Sequence, residues 1–162
     1  MTDDRTNDAT PAPRPIMPDE SEGFRLAERA AYHLLEMRAE DVIVLDLRTL
    51  SDVCDFFVIG SGQADVQVKA MAREVREGLL AAGQKPVGFE GENDGRWILI
   101  DYVDVVVHAL KPNVREYYQL ERLWGDGAVL VVDAQHLASE GFARRHPDLA
   151  PPGGATTTSE DA

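Results

Sequence analysis

Two apolar runs separated by an acid-flanked turn constrain this chain more than any other stretch. They are Trp97-Ile-Leu-Ile-Asp101 and Asp104-Val-Val-Val-His108-Ala-Leu110. With Tyr102 and Val103 as a two-residue loop they form an antiparallel hairpin. Asp101 then faces Asp104, Ile100 faces Val105, Leu99 faces Val106, Ile98 faces Val107 and Trp97 faces His108. Side chains alternate across a strand, so Ile98, Ile100, Val105, Val107 and Ala109 share a wholly apolar face that reads as core. Trp97, Leu99, Asp101, Asp104, Val106, His108 and Leu110 share the other. That face is apolar with polar punctuation, a pattern that suits a partner.

The rest of the chain supplies what such a hairpin needs to bury one face. Residues 1–20 are rich in Thr, Asp, Ala and Pro and are expected to be a disordered leader. Ser21 is an N-cap with Glu22 in the first turn. A helix follows to about Arg38, with Leu26, Ala30, Leu34 and Met37 on one stripe and Arg25, Glu28, Arg29 and Glu36 on the polar side. Val42 to Leu47 and Asp55 to Ile59 read as strands, the second as a central one covered on both faces. A helix from about Ala64 to Ala82 carries Val68, Met71, Ala72, Val75 and Leu79, and Gly83 closes it. Pro86 to Glu90 suits a short edge strand. After the hairpin, Pro112 starts a last helix that runs to about Leu123, and Ala128 to Val132 adds a short strand. The order is satisfied by an α/β fold, a single mixed sheet flanked by helices, over residues 21–132. Residues 133–162 are expected to be a mostly disordered tail, with a weak helix between Ala134 and Arg145.

Charge narrows the partners. The formal net charge is −13. Each end carries two arginines against five acids, so most of the excess, −7, lies on residues 21–132. Nucleic acid is held by Lys and Arg that replace counterions, so an acidic domain predicts little direct nucleic-acid contact. It favours a basic protein partner through complementary potentials. No run approaches a membrane span of roughly 20 apolar residues, and the N-terminus has no basic region ahead of an apolar run. With one cysteine, Cys54, the expectation is a cytoplasmic protein without a disulfide.

Few constellations suit chemistry. Gly60-Ser61-Gly62 between a strand and a helix offers backbone amides to a phosphate, but it lacks the lysine of a P-loop and the G-x-G-x-x-G spacing. Read as a nucleotidyltransferase loop, it would need paired carboxylates for metal, and the adjacent triplet is Asp65-Val66-Gln67. A tight turn and helix start is the plainer account. Asp101 and Asp104 could hold a cation, yet acids at such a turn usually bond local amides. His33, His108, His136 and His146 lack companions at metal-ligand spacing. Cys54 is expected to pack rather than react. The aromatic residues differ, since Trp97, Tyr117, Tyr118 and Trp124 cluster in one stretch and such residues dominate binding hot spots. Core packing accounts for Trp124 and one tyrosine, while Trp97 fits core and surface equally.

Taken together, Gly91-Glu92…Gly95-x-Trp97-x-Leu99-x-Asp101-x-x-Asp104-Val-Val-Val-His108 and Arg115-Glu-Tyr117-Tyr-x-Leu120-Glu121-x-Leu123-Trp124 resemble the ribosomal silencing factor (Iojap) family. Val44-Leu-Asp46-Leu, Asp55-Phe-Phe57-Val-Ile and Val68-Lys69 extend the resemblance to about residues 22–126. The resemblance implies a nucleotidyltransferase-like fold with neither catalytic activity nor cofactor. It implies binding to the large ribosomal subunit through its basic protein number fourteen, which blocks the small subunit and represses translation when nutrients are short. The partner surface carried over is Trp97 with the Leu110-Lys111-Pro112 corner, together with His108 and Tyr117. The alternatives are a large-subunit assembly factor, or a nucleotide-binding transferase using the Gly60 to Gly62 loop. An apolar sheet face also permits a homodimer.

Overall fold

A computed structural model describes residues 15–123 and 127–149 of the 162. It contains one six-stranded mixed sheet, built from β1 (Glu40–Asp46), β2 (Phe56–Ser61), β3 (Gly88–Glu90), β4 (Trp97–Asp101), β5 (Val105–Leu110) and β6 (Ala128–Val131). The strand order is β3-β4-β5-β2-β1-β6. Only β2 and β5 pair in parallel; every other neighbouring pair is antiparallel. The parallel pair sits at the centre, as the apolar character of β2 predicts.

Two long helices close one face. Helix α1 (Glu22–Glu36) begins at Ser21, whose Oγ accepts a hydrogen bond from the Phe24 amide at 3.1 Å. Helix α2 (Asp65–Ala81) packs beside it, burying Val68, Met71, Ala72, Val75 and Leu79. Together they cover Val44, Val58, Ile98, Ile100, Val105, Val107 and Ala109 in the main core. The hairpin's apolar face is therefore the core face.

Close approach of these helices depends on small residues. A Cβ on Gly78 of α2 would collide with the His33 ring of α1. Glycine within a helix normally costs about 1 kcal/mol relative to alanine. Here the collision reverses the sign, so Gly78→Ala should lower the urea midpoint of unfolding rather than raise it. A raised midpoint would show that the His33 ring moves aside freely.

The hairpin register differs from expectation by two residues. Trp97 pairs with Leu110, Ile98 with Ala109, Leu99 with His108, Ile100 with Val107 and Asp101 with Val106. The loop is Val103 and Asp104, closed by the Tyr102 amide bonding to the Val105 carbonyl at 2.8 Å. Tyr102 is buried and therefore unavailable as a turn apex. Val103 adopts a φ of 76°, unusual for a β-branched residue. The Asp101 Oδ1 accepts from its amide at 2.8 Å and holds the turn. A shift of two leaves the membership of each face unchanged. Tyr102 moves out of the loop, and Asp104 moves from the strand face into it.

Both ends hold more structure than expected. Ile16 is 4% exposed and joins the core, and its amide bonds to the Val129 carbonyl beside β6. Beyond Val132 the chain forms α5 (Ala134–Leu137) and α6 (Glu140–Arg145), capped by Asp133 and Ser139. Phe142 stacks on Tyr32 of α1 at 6.1 Å. The folded unit thus extends from residue 15 to at least 149, past the boundary expected at 132.

Candidate partner-docking surface

The second sheet face is only partly covered. Over one end lies α3 (Pro112–Tyr118), followed by the short α4 (Leu120–Leu123). Val114 and Leu120 pack there with Leu45, Leu47, Ile59, Val106 and Leu110 in a smaller apolar cluster. Trp97, Leu99, Phe57, Ile43 and Val129 border that cluster and remain half-buried.

Aromatic rings run across this face in an unbroken series. Phe57 meets His108 edge-on at 4.5 Å, and Trp97 lies 6.0 Å from His108 and 5.0 Å from Tyr118. Tyr118 meets Tyr117 edge-on at 4.9 Å. Tyr117 is 79% exposed and Tyr118 51%. Neither tyrosine enters the core, contrary to the expectation for one of them, because α3 lies across the sheet's end and turns that side outward. Trp124 lies outside the described residues. A cleft of about 300 Å³ adjoins the series, lined by Glu90, Gly91, Trp97 and Leu99.

The residues expected to meet a partner divide into two layers. Trp97, Lys111, Pro112 and Tyr117 reach the surface. His108 is 3% exposed and Leu110 is fully buried. The Trp97 Nε1–H donates to His108 Nδ1 at 3.1 Å, so the ring's proton is on Nε2, which is buried without a protein partner. His108 therefore sets the tilt of the indole from beneath. Leu110 lies beside Trp97, its partner across the hairpin, in the apolar cluster against which Trp97 packs. The Lys111 amide bonds to the Arg96 carbonyl and its Nζ reaches Asp65 Oδ1 at 3.1 Å. Pro112 starts α3 in the first turn, where a missing amide proton costs nothing.

Burial pushes the His108 pKa down from 6.5 to about 4. The unfolded chain then binds the proton more readily between those values, so stability present above pH 6.5 is lost as pH falls toward 4. The loss reaches about 3 kcal/mol at full effect. His108→Gln should flatten that part of a stability–pH curve measured by urea unfolding. An unchanged slope would place the titration elsewhere.

One element of the face escaped the sequence reading. Arg115, 9% exposed, donates to Ser61 Oγ at 2.9 Å and to Glu121 Oε2 at 2.8 Å. This ties α3 to the end of β2. Gln119 between α3 and α4 takes a φ of 50°, breaking what the sequence suggests is one helix. The break brings Glu121 back onto Arg115.

The same bonds occupy the proposed phosphate loop. Gly60 and Ser61 belong to β2 rather than to a turn, paired with Ala109 and Leu110. The Gly62 amide donates to the Leu110 carbonyl and the Gln63 amide to Gln67 Oε1. A Cβ on Gly60 would lie 3.1 Å from Leu34 and one on Gly62 would lie 2.8 Å from Met71, so both glycines serve packing. Among the described residues, no group of three or more His, Cys, Asp or Glu is placed to hold a metal. Cys54 is buried, and burial first, then nearby aspartates, push its thiol up to about 11. Thiolate is the reactive form, so this environment disfavours reaction.

Exposed carboxylates flank the aromatic series: Glu90 lines the cleft beside Trp97, and Glu116 precedes Tyr117 on α3. Among the described residues, no helix is long and apolar enough to cross a membrane.

These features define an α/β domain whose mixed sheet is closed by helices on one face and left as a partly open aromatic ledge on the other. Residues 18–154 match the family model described as "Ribosomal silencing factor during starvation", and the chain belongs to that family. It is 42% identical over 98 residues to ribosomal silencing factor RsfS of Bacillus subtilis, covering 60% of this chain and 83% of that protein. A crystal structure of a Chromobacterium violaceum protein superposes with a TM-score of 0.63 at 38% identity, covering 65% of this chain and 88% of that one. The mouse protein named "Mitochondrial assembly of ribosomal large subunit protein 1" is 31% identical over 94 residues, covering 56% of this chain and 41% of its own.

Proposed function

We propose that this protein docks its aromatic ledge on the large ribosomal subunit, through the basic ribosomal protein number fourteen, and thereby excludes the small subunit. The observation that carries the reading is the Trp97–Tyr118–Tyr117 series, half-buried at Trp97 and exposed at both tyrosines, with Glu90 and Glu116 beside it. Rigid aromatic anchors supply binding energy, and the flanking acids favour a basic partner. Trp97, Lys111, Pro112 and Tyr117 make the contacts, while His108 and Leu110 support them from below. Steric exclusion needs occupancy alone, so no catalytic group is required. The Gly62 and Gln63 amides are engaged within the chain and Ser61 is buried against Arg115, which disfavours the transferase reading.

The name of the mouse relative supports a second reading, escort of the large subunit during assembly. The same surface would serve it. Co-sedimentation with purified mature large subunits tests the docking. Saturable binding is expected, and binding confined to immature particles would favour the assembly reading.

A further inference from the structure

The flank of α2 toward the β3 edge gathers cations in an otherwise acidic chain. Lys69, Arg73 and Arg76 are spaced four and three residues apart, so their side chains form one stripe. Lys85, just past the helix, extends it. Arg73 and Arg76 line two adjoining clefts, of about 430 and about 170 Å³. Lys85 borders the first and Lys69 the second. Glu77 and Glu92 also line these clefts, leaving four cations against two acids.

These cations are held ready rather than neutralised. Arg29, Arg48, Lys111, Arg115 and Arg145 each form an ion pair with a carboxylate. Among the described residues, none of Lys69, Arg73, Arg76 and Lys85 does so. The Arg76 guanidinium stacks on the Phe89 ring at 4.2 Å, which holds it over the edge strand β3. The stripe also reaches the docking surface. A Cβ on Gly95 would lie 2.9 Å from Lys69 Cε, so the lysine stem passes against the turn that leads into Trp97.

We propose that this stripe is a second contact surface, for the phosphate backbone of RNA, engaged when the aromatic ledge docks. The inference rests on the ribosomal reading above. A chain of net charge −13 is repelled from a particle rich in RNA unless it turns cations toward it. The stripe supplies those cations along the β3 edge of the sheet, with Lys69 reaching the turn ahead of Trp97, and phosphate contacts of this kind fix orientation without reading sequence. The aromatic ledge therefore selects the protein partner while the basic stripe sets the angle of approach.

The test is the salt dependence of binding to purified large subunits, followed from roughly 50 to 200 mM salt. The double variant Arg73→Gln/Arg76→Gln should bind about tenfold more weakly at the lower salt, with the difference narrowing as salt rises. Its slope of log affinity against log salt should be shallower by about 1 to 2. Lys85→Gln, remote from the Phe89 stack, should move both quantities in the same direction without altering the fold. Binding to the isolated ribosomal protein number fourteen should be unchanged in all variants. An unchanged slope on whole subunits would overturn the proposal, as would an equal loss toward the isolated protein, which would make the stripe a protein contact. Failure of the unaltered protein to bind subunits at all would instead overturn the ribosomal reading.

Discussion

Replacing Glu28 with alanine lowers the free energy of unfolding by about 3–5 kcal/mol, the cost of removing one partner from a buried ionic cluster. Glu28 lies on α1, fully buried, and four donors converge on its carboxylate. Arg145 supplies two bonds at 2.8 Å, His136 one at 2.6 Å and His146 one at 2.9 Å. Without the carboxylate, Arg145 and His146 remain buried with no acceptor at that position. The cluster also fastens residues 134–149 to α1, assisted by Phe142 and by the Arg29–Asp148 pair. Urea unfolding measures the total loss, and hydrogen exchange should show faster exchange in α6 than in β5. A loss below about 1 kcal/mol would mean the segment is held by Phe142, Leu137 and the Arg29–Asp148 pair rather than by the cluster.

The same cluster gives an acid limit. Burial raises the Glu28 pKa, but the bonds from Arg145, His136 and His146 outweigh it and hold the carboxyl well below the usual range. Its contribution is therefore present above the ordinary glutamate pKa and is lost as pH falls below it. This loss lies on the acid side of the His108 window, so the two can be separated in one titration.

Trp97→Ala should weaken binding to the large subunit by about 2 kcal/mol or more, roughly thirtyfold, while leaving the fold intact. Trp97 is half-buried and forms one side-chain hydrogen bond, to His108, so the main core beneath α1 and α2 does not depend on it. Its removal opens the centre of the aromatic series between His108 and Tyr118. Tyr117→Ala is the companion variant, because that ring is 79% exposed and contributes little to stability. Equilibrium sedimentation with purified large subunits checks affinity, and circular dichroism checks the fold. Unchanged affinity in both variants would remove the ledge from the interface.

The two hairpin faces were legible because alternation needs only local sequence. The pairing was not, because it depends on Tyr102 being buried and on Asp101 holding Val103 at positive φ, and both are set by tertiary context. Glu28 sits among Arg25, Arg29 and Glu36 on what reads as a solvated helix side. Only the return of Arg145, more than a hundred residues later, turns that position inward. The break at Gln119 was hidden for the same reason, since it serves the contact of Arg115 with Ser61 and Glu121. Trp97, Tyr117 and Tyr118 stand out by residue type and clustering, and all three reach the surface. Phe57 does not, because an apolar central strand gives no sign that one of its faces is left partly open.

Light scattering of purified large and small subunits, mixed after the large subunits have been incubated with increasing amounts of this protein, tests steric exclusion most directly. The joined fraction should fall in proportion to the occupancy of the large subunit, and Trp97→Ala should require a correspondingly higher concentration for the same effect. Full joining at saturating occupancy would contradict the account.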